Sequence, residues 1–213
     1  MKDVNPNKKI EMIELFKNKA FSEILLEKFV STHPGRYWSA KNEDKGIYCL
    51  EACVSTGLCE VLNEIFKDKT FLNEFGEWHA TTEVRYPGFK TTNNKITFAD
   101  IALFQWDGEK QHNIIYLEIK WSSSVDNMTF EKMIEDEIKK ENEFNIAIGM
   151  FWSRQKLDNI DDIVSNKLNC LTKTPNKKTI HNIKGTAYRL DGKFSKNIDF
   201  SVINMTIFIR DCF

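Results

Sequence analysis

Three charged side chains lie within two otherwise apolar segments of the chain and have the types and spacing that phosphoryl chemistry uses. Asp100 lies within residues 98–104, and Glu118 and Lys120 lie within residues 116–121. Both segments read as strands, and because side chains alternate along a strand, Glu118 and Lys120 share one face. A carboxylate buried without a partner is costly and tends to neutralise. Three such groups in one strand pair therefore indicate a compensating ligand, and the hard oxygens of two carboxylates suit Mg²⁺.

A hairpin brings these three residues to one edge of the predicted sheet. The run Asp107-Gly108-Glu109-Lys110 is a turn signal between the two strands. Asp100 and Glu118 are then predicted to hold the cation, and Lys120 to offset residual charge or to position the attacking water. The alternative interpretation is a structural ion pair in which Lys120 neutralises one of the acids.

Two further glutamates are candidates for completing the metal site. Glu51 falls inside the apolar arc of a predicted amphipathic helix over residues 46–67, whereas Glu60 and Glu64 fall on its opposite side. Glu83 lies on the predicted strand that precedes Asp100. Both Glu51 and Glu83 are kept as candidates.

The elements that position these residues are predicted from hydrophobic periodicity. Besides the helix over 46–67, one or two helices are expected over 8–30, and another follows Asp126 or Asn127 and ends near Glu141. Strands are predicted over 81–86, 96–106, 113–121 and 145–152, and in the tail over 185–190 and 201–210 with an Asp191-Gly192 turn between them. This order predicts an α/β fold with a mixed sheet, in which a right-handed crossover makes the strand over 145–152 parallel to its predecessor.

The sequence from about Gly46 to Trp152 resembles the PD-(D/E)xK nuclease superfamily. The resemblance is carried by Asp100 and by Glu118-Ile119-Lys120 in their strand and helix context, with Ala99 in place of the family's proline. It implies a restriction-endonuclease-like fold, with a mixed central sheet flanked by helices. It also implies that Asp100 and Glu118 bind Mg²⁺, for which Mn²⁺ can substitute, that Lys120 helps activate water, and that Glu51 or Glu83 completes the site.

The domain plan follows from the same elements. A helical segment over residues 1–45 precedes a nuclease-like core over 46–165, and a β-rich C-terminal extension over 166–213 belongs to the same domain. Residues 167–196 hold eight Lys or Arg and one acid, whereas residues 125–162 hold ten acids and five Lys or Arg. Basic side chains in or near the extension are expected to contact nucleic-acid phosphates: Lys173, Lys177, Lys178, Lys184 and Arg189.

Composition excludes several other classes of protein. The 213 residues carry 30 Lys and Arg against 31 Asp and Glu, with 41% hydrophobic residues, which is typical of a folded globular chain. No apolar run approaches the roughly 18–20 residues of a membrane span, and no secretory signal is visible. Five cysteines without such a signal favour a reducing cytoplasm. Cys49 and Cys53 have a C-x3-C spacing, but no His or further Cys pair completes a zinc site nearby. No phosphate-binding loop or dinucleotide motif is present.

The sequence therefore predicts a Mg²⁺-dependent hydrolase of phosphodiester bonds, a DNA endonuclease of bacterial or phage defence, restriction or repair. RNA is the alternative substrate, and the resemblance implies a homodimer in which each subunit cuts one strand. The alternative function is a non-cleaving binding or regulatory protein that keeps the nuclease fold. A third interpretation treats the acids as structural ion pairs within an interaction module.

Overall fold

The computed structural model describes residues 5–32, 51–87, 97–122, 143–153, 176–180, 183–193 and 202–211. They form an α/β arrangement of four helices and seven strands. The helices are α1 (Asn7–Leu15), α2 (Lys19–Thr32), α3 (Glu51–Phe66) and α4 (Lys69–Phe75). The strands are β1 (His79–Arg85), β2 (Phe98–Trp106), β3 (Gln111–Ser122), β4 (Ile146–Ser153), β5 (Asn176–Ile180), β6 (Ile183–Lys193) and β7 (Val202–Arg210).

The strands form one mixed sheet in the order β1-β2-β3-β4-β7-β6-β5. Strands β3 and β4 are parallel, as the sequence predicts, and all other neighbours are antiparallel. The tail extends this sheet, because β7 pairs with β4 and carries β6 and β5 outward. The crossover between β3 and β4, with its predicted helix after Asp126 or Asn127, lies outside the described residues.

The helices and one face of the sheet share a hydrophobic core, here called the helix-side core. Helix α3 contributes the apolar arc that its periodicity predicts, and Glu60 and Glu64 are exposed on its other side. Each apolar side chain that is buried in this way stabilises the fold by roughly 1.5–3 kcal/mol. The buried residues of α3 are Val54, Leu58, Val61, Leu62 and Ile65, and those of the sheet include Ile101, Leu117, Ile119, Ile146, Ile148 and Ile207.

The predicted helical segment over 8–30 is two helices. Asn18 separates them, because its side-chain oxygen accepts a hydrogen bond from the Ala20 amide at 2.9 Å and so caps the start of α2. Met12 of α1 and Leu25 of α2 are fully buried. Ile10 and Ile24, two of the apolar positions of the segment, are instead 57% and 47% exposed.

The predicted turn at Asp191-Gly192 is wrong. Both residues belong to β6, where Asp191 pairs with Asn204 and Gly192 with Ile203. The β6–β7 ladder runs from Gly185 to Lys193 without a break, and its continuous cross-strand pairing outweighs the local turn preference of an Asp-Gly pair. The two strands that the tail was predicted to contain are present, and β6 is longer than expected.

Helix α3 is tied to the outer strand of the sheet by one side chain. Asn63 accepts a hydrogen bond from the Ala80 amide and donates one to the Ala80 carbonyl, both at 2.9 Å. The Asn63 amide therefore pairs with strand β1 as a neighbouring strand would, and it occupies backbone groups at the sheet edge that would otherwise be open to another chain. Among the described residues, no helix is both long and apolar enough to cross a membrane.

Candidate metal and phosphodiester site

Strands β2 and β3 bring Asp100 and Glu118 to facing positions. Their register pairs Ile101 with Leu117 and Ala102 with Tyr116, so one further step places Asp100 opposite Glu118. The carboxylate oxygen Oδ2 of Asp100 accepts a hydrogen bond from the Ile119 amide at 2.6 Å. The side chain of Asp100 thus occupies the place of a backbone carbonyl in the ladder, at the point where the backbone pairing of the two strands ends.

Glu118 is a buried carboxylate with a tyrosine partner. Its exposed fraction is 6%, and its oxygen Oε1 accepts a hydrogen bond from the hydroxyl of Tyr86. Tyr86 follows β1 directly and is fully buried. Because burying a carboxyl group without a hydrogen bond is costly, the Tyr86 hydroxyl offsets part of the cost of burying Glu118.

Tyr86 belongs to a second cluster on the sheet, here called the tyrosine cluster. Its ring packs on Tyr116 with centroids 4.7 Å apart. The cluster comprises Tyr86, Ala99, Ala102 and Tyr116, with Val84 and Ile114 packed against it. The sequence predicts that a strand ends at Tyr86 and indicates no role for this residue. The available signal was a phenol next to a predicted acid site, since a buried tyrosine hydroxyl usually needs a polar partner.

Lys120 lies two residues beyond Glu118 on β3. Leu117 and Ile119 pack in the helix-side core, whereas Tyr116 packs in the tyrosine cluster. Strand alternation therefore places Glu118 and Lys120 on the face of the sheet that bears the tyrosine cluster, as the sequence predicts. Lys120 is half-buried.

The side chains of β1 and β2 switch from one face of the sheet to the other near Glu83 and Asp100. On β2, Ala99 packs in the tyrosine cluster but Ile101 packs in the helix-side core. On β1, Ala80 packs in the helix-side core and Val84 in the tyrosine cluster. Residues an even number of positions apart normally share a face. The facing of β1 therefore reverses between Ala80 and Val84, and that of β2 between Ala99 and Ile101.

Glu83 lies on β1 where this reversal of facing occurs. The register of β1 and β2 places it opposite Asp100, since Thr82 pairs with Ile101 and Val84 with Ala99. Its backbone has φ +54°, a left-handed conformation that costs an L-residue roughly 1–2 kcal/mol. The side chain of Glu83 is exposed. Backbone strain of this kind often occurs at functional sites, and here it lies opposite Asp100, where the facing of both strands reverses.

Glu51 is the first residue of α3. The body of α3 packs in the helix-side core, on the face of the sheet opposite to Glu118 and Lys120. The structure describes the backbone of Glu51 but not its side chain, so Glu51 and Glu83 both stay candidates.

The predicted phosphate-binding residues lie at the far side of the sheet. Lys177 and Lys178 are on the edge strand β5, and Lys184 and Arg189 are on β6, whereas Lys173 lies outside the described residues. Adjacent strands are about 4.8 Å apart, so β6, three strands from β3, lies about 14 Å from it.

A line of paired residues connects the two regions of the sheet. Lys120 pairs with Gly149, Gly149 with Thr206, and Thr206 with Arg189. The Arg189 backbone therefore belongs to the same cross-strand row as Lys120. The middle of this row is buried, since Thr206 is 2% exposed, so the row itself is not an open path along the surface.

The donor set of this site suits a magnesium ion. Among the described residues there is no group of three or more His, Cys, Asp or Glu side chains placed to hold a metal ion. Two carboxylates, Asp100 and Glu118, lie at facing positions, and Mg²⁺ is commonly held by one or two carboxylates while it keeps several waters. In chemical type these two carboxylates fit a hard cation such as Mg²⁺.

Comparisons with known proteins find no match for this chain, whether by family model, among curated proteins or among solved structures. The basis for a functional proposal is thus the geometry of Asp100, Glu118 and Lys120 and the sheet that carries them.

Proposed function

We propose that this chain is a metal-dependent phosphodiesterase, a DNA endonuclease that uses Mg²⁺ or Mn²⁺. The observation that carries the proposal is the facing pair of Asp100 and Glu118 on adjacent strands, with Lys120 next along the same face. Charged residues at central strand positions are expensive to keep unless they have a function or a partner. A pair of carboxylates is a ligand set suited to a cation, and a lysine on the same face is a side chain of the type that contacts phosphate.

The strand arrangement around the acid pair supports a restriction-endonuclease-like fold. Strands β1, β2 and β3 are consecutive and antiparallel, and β4 lies parallel to β3 on its other side. This is the arrangement expected from the resemblance, with Asp100 on the second strand and the Glu-x-Lys segment on the third. Helix α3 covers one face of these strands.

Each residue of the site has a chemical role in the proposed reaction. Asp100 and Glu118 would hold the cation through carboxylate oxygens, with Glu51 or Glu83 as a further acid. A bound Mg²⁺ supplies Lewis acidity and lowers the pKa of coordinated water. Lys120 would orient the attacking water or stabilise the charge that develops on the phosphate. The proposed substrate is DNA with RNA as the alternative, and the proposed setting is the cytoplasm of a bacterium or the infection cycle of a phage, in defence, restriction or repair.

A cleavage assay tests the proposal. Supercoiled plasmid and single-stranded DNA are incubated with the wild-type chain in Mg²⁺, in Mn²⁺ or in EDTA. We expect cutting that requires the cation, and we expect Asp100→Asn and Lys120→Ala each to lower its rate by about 100-fold to 1,000-fold, the loss typical of a removed electrostatic group. Asp100→Asn is chosen because an amide oxygen can still accept the Ile119 hydrogen bond.

Matched controls separate loss of chemistry from loss of fold. Lys110→Ala removes an exposed lysine from the β2–β3 turn, and Glu64→Gln neutralises an exposed acid of α3. Both variants should cut like the wild type. Full cleavage activity in Lys120→Ala or Asp100→Asn would contradict the proposal.

One observation favours a second candidate, a non-cleaving binding or regulatory protein. Both acids already have partners within the chain, the Ile119 amide for Asp100 and the Tyr86 hydroxyl for Glu118. A folded wild-type chain that binds DNA, cuts it with neither cation and binds it equally well as Asp100→Asn would support this function instead.

A further inference from the structure

We propose that Tyr86 is a positioning residue for cation binding, which it controls by holding one oxygen of Glu118. The inference rests on the proposed function, since it assigns a role within the same site. Tyr86 is not part of the Asp100, Glu118 and Lys120 pattern. It lies 32 positions before Glu118 in the chain, and its hydroxyl is brought to the acid by the tertiary fold.

The first step is the direction of the hydrogen bond. The Tyr86 hydroxyl donates to Oε1 of Glu118. A carboxylate oxygen that accepts a phenol proton presents less negative charge to a cation and is fixed in orientation. The orientation in which Glu118 would bind a cation is therefore set by the phenol.

The second step is the rigidity of the tyrosine. Tyr86 is fully buried, its amide donates to the Thr97 carbonyl at 3.2 Å, and its ring packs on Tyr116. The phenol is thus fixed at both its backbone and its ring. A rigid donor that holds a ligand carboxylate is what a cation site needs in its surroundings, because the loss of such a partner usually lowers metal affinity or activity by about 10-fold to 100-fold.

The third step is the division of roles between the two acids. Asp100 is oriented by a backbone amide, a donor that only a proline substitution would remove, whereas Glu118 is oriented by a side chain. A Tyr86→Phe substitution removes the donor and leaves the ring in its packing position. Tyr116→Phe is the matched control, because it removes a hydroxyl from the adjacent ring of the same cluster while the Tyr86–Glu118 hydrogen bond is kept.

The experiment measures Mn²⁺ and Mg²⁺ affinity by calorimetric titration of the metal-free full chain, without substrate. We expect Tyr86→Phe to weaken cation affinity by about 10-fold to 100-fold and Tyr116→Phe to leave it nearly unchanged. In the cleavage assay, the deficit of Tyr86→Phe should shrink as the cation concentration rises, because a positioning defect is overcome by mass action and a missing catalytic group is not.

Circular dichroism and thermal unfolding check that Tyr86→Phe is folded. A second measurement uses the wild-type chain: cation binding should perturb a tyrosine band in the ultraviolet difference spectrum, and Glu118→Gln should abolish that change. A wild type that binds the cation with no tyrosine perturbation would overturn the proposal.

The outcomes distinguish this inference from the proposed function. Equal cation affinity in the wild type and Tyr86→Phe, with metal-dependent cleavage intact in the wild type, overturns the role of Tyr86 alone. A wild type that neither binds a divalent cation nor cuts DNA overturns the proposed function and the role of Tyr86 with it.

Discussion

Asp100 and Glu118 occupy facing positions, yet the fold holds their carboxylates in different ways. Asp100 is half-buried and bonded to a backbone amide, whereas Glu118 is buried and bonded to a phenol. A backbone amide directs a carboxylate without adding charge, and a phenol can be replaced by mutation. The two acids can therefore be tested separately, one through its charge and one through its partner.

Substitution of single residues can decide whether Glu51 or Glu83 is the additional acid of the proposed site. We expect Glu51→Gln to lower cation affinity and cleavage by about tenfold or more, and Glu83→Gln to leave both close to wild type. The first expectation follows from the sequence alone, which sets Glu51 apart from the exposed Glu60 and Glu64. The second follows because the side chain of Glu83 is exposed. Cation titration and the plasmid assay provide the measurements.

Glu64→Gln is the matched control for both variants, since it removes the charge of an exposed glutamate on the same helix as Glu51. The opposite result, with a loss in Glu83→Gln and none in Glu51→Gln, would assign the acid to β1. The strained backbone of Glu83 opposite Asp100 would then have a catalytic reason.

At the scale of elements, the β2–β3 hairpin sets the register that places Asp100 opposite Glu118. Its turn is ordered by Asp107, whose oxygen Oδ1 accepts hydrogen bonds from the Glu109 and Lys110 amides at 2.8 and 2.9 Å. The other oxygen, Oδ2, lies 2.5 Å from Nε2 of His112, which is half-buried in the hairpin. These hydrogen bonds, led by those from the two amides, hold the pKa of the Asp107 carboxyl well below its usual range.

The hairpin turn should make stability depend on pH in the acid range. Because the folded pKa of Asp107 is lower than its unfolded value of about 3.9, its contribution to stability is present above that value and is lost as pH falls further. We expect Asp107→Asn to be less stable than the wild type near neutral pH, and the difference to shrink below about pH 4. Denaturant unfolding at a series of pH values measures both effects.

Glu109→Gln is the control for the hairpin prediction, because Glu109 is an exposed acid in the same turn. Its stability should follow the wild type across the pH series. If wild type and Asp107→Asn keep the same separation at all pH values, the charge of Asp107 does not stabilise the turn.

At the scale of the whole molecule, the C-terminal strands turn a four-strand core into a seven-strand sheet. Hydrogen bonds of Asn145 secure the junction. Its amide donates to the Tyr116 carbonyl, and its side-chain oxygen accepts from the Tyr116 amide. Its carbonyl accepts from the Arg210 amide at 2.9 Å. The basic strands β5 and β6 are thereby held at a fixed distance from the acid pair. Strands β5 and β6 and the acid pair are therefore carried by one sheet.

This arrangement predicts how DNA affinity depends on salt. We expect the triple variant Lys177→Ala, Lys178→Ala and Lys184→Ala to bind DNA more weakly than the wild type at low salt. Its plot of log affinity against log salt should be flatter by about 0.9 per phosphate contact removed. Fluorescence anisotropy with labelled DNA in EDTA measures binding without cleavage.

The control for the salt prediction neutralises three exposed lysines of the helical layer: Lys28, Lys67 and Lys69. The net charge of the two triple variants is the same, so general electrostatic attraction falls equally in both. Identical salt slopes for the two variants would show that β5 and β6 are not where DNA binds.

The local features of this protein are determined by its sequence. The buried arc of α3, the β2–β3 hairpin and the shared face of Glu118 and Lys120 all follow from spacings of two to four residues, and the structure has each of them. These features are readable because helix and strand periodicity depends on neighbouring residues alone. Asp100, Glu118 and Lys120 were identifiable for the same reason, as charges that interrupt apolar strands.

The tertiary structure decided which distant residues meet. Tyr86 reaches Glu118 across 32 positions. The reversal of facing near Glu83 and Asp100 is visible only in the paired and packed strands β1 and β2. The continuation of β6 through Asp191 and Gly192 likewise depends on its ladder with β7. The physical reason is that the free energy of a strand pair or a buried hydrogen bond resides in the partner and its packing, and local spacing does not specify a partner that is far away in the chain.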